Sequence, residues 1–147
     1  AGCSRARGRA SSMRELREVL AELRGDGSVA LAELCAEAAA SPSLEALERA
    51  AELCWDQLHS GEYKRVPDGY RELYAWAVEQ RVRLRRGGLT GEALPEVKKA
   101  LRDADRALII AGGLASASLH RLTEELHDTV VSGAAKAGPR WLPRTAD

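Results

Sequence analysis

His120, Glu124 and His127 stand at i, i+4 and i+7, a spacing that turns three metal-ligating side chains toward one side of a helix. Such a set would hold a divalent ion. The same positions border the apolar stripe Leu119, Leu122 and Leu126, and His or Glu beside a buried seam is ordinary on a helix surface, which is the reading expected here. A second candidate is the glycine pair in LeuIleIleAlaGlyGlyLeu at 108–114. Phosphate loops need glycines at set spacings between a strand and a helix. No strand precedes this pair, so a helix end and re-entry is expected instead. A third is the run ArgValArgLeuArgArg at 81–86, where cations are favoured by the C-terminal end of the helix dipole and where phosphate would also dock. Capping is the expected role, because neither a net basic domain nor an aromatic stacking platform accompanies the run.

Cys3, Cys35 and Cys54 are odd in number and lack CxxC or Cys/His metal spacing, which argues against a disulfide framework and against structural zinc. A reducing compartment is expected. Cys35 and Cys54 fall among apolar helix positions, where a thiol is buried and inert. No Ser-His-Asp or Cys-His arrangement is written in the spacing. No catalytic residue is expected.

The elements that would position these residues read as helices. Ala, Leu, Glu and Arg dominate the 147 residues, and Phe is absent. Leu44, Leu47, Ala51, Cys54, Trp55 and Leu58 recur at steps of three and four, with Pro42 blocking helix upstream, Ser43 as N-cap and Gly61 as terminator. This reads as the core helix, with Trp55 buried against the helices bearing Tyr74 and Leu108. Upstream, a helix from Ser11 or Ser12 carries Leu16, Val19, Leu20 and Leu23 and stops at Gly25-Asp26-Gly27. Ser28 caps the next, with Leu31, Leu34 and Cys35, up to Ser41-Pro42. Downstream, Asp68 caps a helix bearing Tyr70, Leu73, Tyr74, Ala77, Val78 and Val82. Another begins near Pro95 and turns Val97, Leu101, Ala104, Leu108 and Ile109 inward. The last starts at Leu114 or Ala115 and ends before Gly133.

The expected architecture is therefore all-α, about six antiparallel helices in a helical-hairpin, repeat-like bundle. Residues 1–10 are expected to be a disordered N-terminus, 11–133 a single α-helical domain and 134–147 a linker or tail. No internal sequence repeat is visible, and the tetratricopeptide pattern is not met. Lys plus Arg and Asp plus Glu both number 22, so no net field points to nucleic acid or to an acidic membrane. Residues 1–24 carry six Arg against three Glu, while 33–62 hold seven acids against Arg49 alone. Solvated helix faces account for that asymmetry. No window approaches the roughly twenty apolar residues of a membrane span. The Arg-rich start lacks the apolar run of a secretory signal, leaving only an organellar transit segment as an alternative to a soluble intracellular chain.

Three blocks carry a resemblance: TrpAspGlnLeuHisSerGly at 55–61, TyrArgGluLeuTyrAla at 70–75 after Val66, and AlaLeuArgAspAlaAspArgAlaLeuIleIleAlaGly at 100–112. In order and spacing they resemble the N-terminal helical region of the Jumonji-C oxygenase family of lysine-specific demethylase eight, over roughly residues 43–131. The matching positions are Trp55, Leu58, Gly61, Tyr70, Tyr74, Leu101, Asp105, Leu108 and Gly112, which are packing residues rather than catalytic ones. The resemblance implies a parent that uses Fe(II) and 2-oxoglutarate to hydroxylate protein arginyl residues, with histone-lysine demethylation also ascribed to the family. Such oxygenases bind iron through a His-x-Asp/Glu pair and a distant His. Here His59, His120 and His127 are followed by Ser-Gly, Arg-Leu and Asp-Thr, so the three-ligand set is not present and no cofactor is expected in this chain.

The reading reached is a non-catalytic partner-binding or regulatory domain, nuclear or cytoplasmic, that meets protein partners and its own downstream catalytic domain through helical surfaces. No direct nucleic-acid or membrane partner is expected. The alternative is a free-standing helical adaptor that docks a partner helix or peptide.

Overall fold

The computed structural model describes residues 15–60, 66–87 and 94–137. They form six helices: α1 (Leu16–Gly25), α2 (Val29–Ala40), α3 (Leu44–Leu58), α4 (Asp68–Gly87), α5 (Leu94–Ala111) and α6 (Ala117–Ala137), with a 3-10 turn over Gly112–Leu114. Among the described residues there is no strand. Each helix packs on the next, and α4 also meets α1 and α6. The centre of the molecule is therefore α4, one element later than the α3 core expected from its apolar stripe.

The reason is the number of faces each helix buries. α4 places Tyr70, Leu73, Tyr74, Ala75, Ala77, Val78, Glu79 and Val82 out of water, which wraps most of its circumference. α3 buries only Leu47, Ala50, Ala51 and Cys54. Small residues on α3 and α5, including Ala50, Ala104 and Ala107 with no exposure, let those helices lie close to α4. Fully buried Leu23, Leu73, Leu119, Leu122 and Leu126 fill the space between, each side chain stabilising by about 1.5–3 kcal/mol relative to exposure.

The helix ends follow local chemistry. α1 closes in a Schellman arrangement: the Ser28 amide donates to Leu23 O at 2.9 Å and the Gly27 amide to Arg24 O at 3.1 Å, with Gly27 at φ +92°, which a side chain would strain. Ser43 caps α3 as expected, accepting from the Ala46 amide at 3.1 Å. Ser28 begins α2 without capping it; its hydroxyl bonds the Tyr70 hydroxyl, which also donates to Asp26 Oδ2 at 3.2 Å. Asp68 is the first residue of α4 rather than its cap, and its carboxylate faces Arg71 at 3.9 Å. α6 begins at Ala117, two or three residues later than expected, and the Ser116 hydroxyl just before it accepts from the Leu119 amide at 3.0 Å.

Two further expectations are overturned. Ile109 points to solvent at 79% exposure, and α5 instead buries Ala107 and Ala111 with Leu108 and Ile110 partly covered. Gly133 does not end α6. The helix runs through it to Ala137, and a β-carbon there would come within 2.9 Å of Leu94 Cδ1, so the glycine is a contact point with α5. The expected terminator Gly61, with Cys3, the residues before 15 and the tail bearing Trp141, lies outside the described residues.

Candidate partner-docking face

The cationic run at the end of α4 is not a simple cap. Residues 81, 83, 85 and 86 fan around the helix, and each arginine meets a carboxylate on a different part of the fold. Arg81 Nη2 lies 3.3 Å from Asp103 on α5, and Arg85 Nη2 3.3 Å from Glu48 on α3. Arg86 Nη1 lies 3.8 Å from Glu125 on α6. Arg83 Nε donates to Glu79 at 3.0 Å and Nη2 to Ser118 O at 3.1 Å. Glu79, 5% exposed, accepts further from Ser116 at 3.3 Å and Ser118 at 2.5 Å. A buried carboxylate with three donors ties α4 to the start of α6.

Beside this run two concavities meet. One, of about 410 Å³, sits where α4, α5 and α6 converge and has an apolar floor of Val82, Val97, Ala100 and Leu126. The other, of about 320 Å³, lies between α3, α4 and α5 and includes Trp55 and Tyr74. Both are walled by Arg81, Arg85, Lys99 and Asp103, so the Arg81–Asp103 pair stands between them. Sequence reasoning did not single out Lys99 or Asp103. The signal was present: 81 and 85 on α4, 99 and 103 on α5, and 48, 52 and 56 on α3 all recur at i, i+4, which lines each set along one face.

Trp55 is half-buried at this second concavity rather than enclosed in the core. Its indole stacks on His59 with ring centroids 3.9 Å apart and 24° between planes, and Tyr74 lies 5.6 Å away. The Arg106 guanidinium sits 5.6 Å over the ring. His59 Nδ1 donates to Trp55 O at 2.9 Å, which holds the stack on one turn of helix. Burial pushes the Tyr74 hydroxyl above its ordinary range, opposed by Arg106 and Arg81. Of the other positions in the resembling blocks, Tyr70 is buried, Leu58, Leu101 and Leu108 are partly buried, and Asp105 and Gly112 are exposed, the glycine at φ +55°.

Cys35 and Cys54 are both buried. Burial pushes the Cys35 thiol up to about 12, and raises Cys54 further with Cys35 adding to the effect. Neither is a nucleophile near neutral pH. His120, Glu124 and His127 are all exposed on α6, and no group of three or more His, Cys, Asp or Glu able to hold a metal ion stands among the described residues. The described residues also do not fit an iron site of the oxygenase kind, which needs two His and one carboxylate converging. No described helix is long and apolar enough to cross a membrane.

Six α-helices packed in succession, with concavities between them and no converging catalytic groups among the described residues, define an α-helical repeat array. The family model described as KDM8-like, N-terminal ARM repeats matches residues 10–138, and the chain belongs to that family. No curated protein and no solved structure matches the chain. The repeat character, invisible as sequence periodicity, is a property of the stacking.

Proposed function

We propose that this chain is the non-catalytic, partner-binding N-terminal domain of a Jumonji-C Fe(II)/2-oxoglutarate-dependent protein hydroxylase or demethylase acting in the nucleus or cytoplasm. Membership in the family of KDM8-like N-terminal repeats carries the reading. Its chemistry supports a docking role: the histidines have no Asp or Glu two residues on, Cys35 and Cys54 are buried, and the polar side chains at the α4 end form ion pairs between helices. In this reading iron and 2-oxoglutarate belong to a separate catalytic domain, and the helical array presents that domain to a protein partner.

The test is made in the parent oxygenase. Deleting residues 15–137 should leave turnover of a short arginyl peptide unchanged and abolish recovery of the complex with its protein partner. Loss of peptide turnover with the partner complex retained would contradict the assignment.

A further inference from the structure

We propose that the concavity at the junction of α4, α5 and α6 receives an acidic peptide segment with an apolar anchor, contributed by a protein partner. This rests on the partner-docking reading and names the chemistry of the partner. The cavity has about 410 Å³ of space, within the range that admits large apolar side chains, and its floor is Val82, Val97, Ala100 and Leu126. Four cations line it, Arg81, Arg85, Arg86 and Lys99, against two carboxylates, Glu96 and Asp103.

The cations are not equivalent. Arg81 and Asp103 hold each other with side chains only 21% and 23% exposed, so that pair is part of the wall. Arg85 faces Glu48, each side chain 44% exposed, while Arg86, 28% exposed, faces Glu125. An ion pair open to water contributes little, so an incoming carboxylate can take the place of Glu48 beside Arg85 without leaving a charge stranded. Lys99, exposed on α5, has no carboxylate partner among the described residues. The rim is therefore cationic toward a ligand while the floor is apolar. Nucleic acid would satisfy the rim and leave the floor empty, and no aromatic side chain lines this cavity to stack a base. An acidic segment bearing leucine-like side chains satisfies both.

The experiment is fluorescence polarisation with three labelled synthetic peptides, alternating Leu-Glu, Leu-Lys and Ser-Glu, titrated with the wild-type chain and two variants. One variant carries Arg85→Glu with Lys99→Glu; the other, Arg102→Glu, changes an exposed cation of α5 outside the cavity. Circular dichroism confirms that each variant is folded. The Leu-Glu peptide should bind best, weaken as salt rises, and lose about tenfold or more in affinity to the double variant while Arg102→Glu changes it less than about twofold. Leu-Lys binding equal to Leu-Glu, or Leu-Glu binding untouched by the double reversal, would overturn the acidic assignment and leave partner docking standing on other chemistry. Equal binding of Ser-Glu would remove the apolar anchor. Binding by none of the three would overturn the cavity as a docking site, while the deletion test in the parent oxygenase still judges the broader reading by itself.

Discussion

A β-carbon on Gly69 would lie 2.7 Å from Leu23 Cδ1, so the start of α4 touches α1 at a point where only hydrogen fits. Leu23 has no exposure, so making room for a methyl means shifting its side chain within the core. Gly69→Ala should therefore destabilise: overpacking costs about 1–3 kcal/mol, which outweighs the gain of at most about 1 kcal/mol in helix propensity. Thermal melting should show a lowered midpoint for Gly69→Ala and no loss for Gly25→Ala, whose added methyl meets nothing within 4 Å. Equal midpoints would mean that α1 is not seated on α4 as described.

Glu79 joins α4 to α6 through Arg83, Ser116 and Ser118. Removing it takes the buried acceptor from two hydroxyls and from Arg83 Nε, so Glu79→Ala should cost about 1–3 kcal/mol. Glu72→Ala, about two turns earlier on the same helix and in a less buried position, serves as the comparison in urea unfolding. A smaller loss for Glu79→Ala than for Glu72→Ala would remove the carboxylate from its role as a tie.

Alkaline pH should weaken the fold. The Cys35 thiol ionises near 9.0 when unfolded and near 12 when folded, so in that window the unfolded chain sheds a proton that the native chain keeps. Stability is whole below pH ~9 and falls as pH rises toward ~12. Cys54, Tyr70 and Tyr74 are also raised by burial and act in the same direction. Urea midpoints should fall between pH ~8 and pH ~11, and fall less in Cys35→Ala. A flat profile would contradict the burial of these groups.

Trp55 is half-buried, so Trp55→Ala should cost less than the roughly 3–5 kcal/mol of an enclosed aromatic. Leu73→Ala, at a position with no exposure, should lower the melting temperature more. The reverse order would return the centre of the core to α3.

These outcomes also mark what was legible in the sequence. Helix number, helix type and the Ser43 cap follow from 3.6-residue periodicity and capping chemistry, which are local. The choice of α4 as the central helix was not legible, because Ala75 and Glu79, buried by neighbours from elsewhere in the chain, lie outside its apolar stripe. Ile109 shows the opposite failure: an apolar residue in a plausible register that no neighbour covers. Gly133 looked like a terminator because a glycine that ends a helix and a glycine that admits Leu94 are identical in sequence. The arginines at 81–86 were visible as a charge run, but their four destinations depend on which helices pack on α4. The concavities exist only once three helices converge.

The most direct measurement is succinate release by the purified chain supplied with Fe(II), 2-oxoglutarate and an arginine-containing protein. A helical repeat domain whose histidines and described carboxylates do not converge should release none above the protein-free background. Reproducible turnover that scales with the concentration of this chain would contradict the assignment of a non-catalytic docking domain.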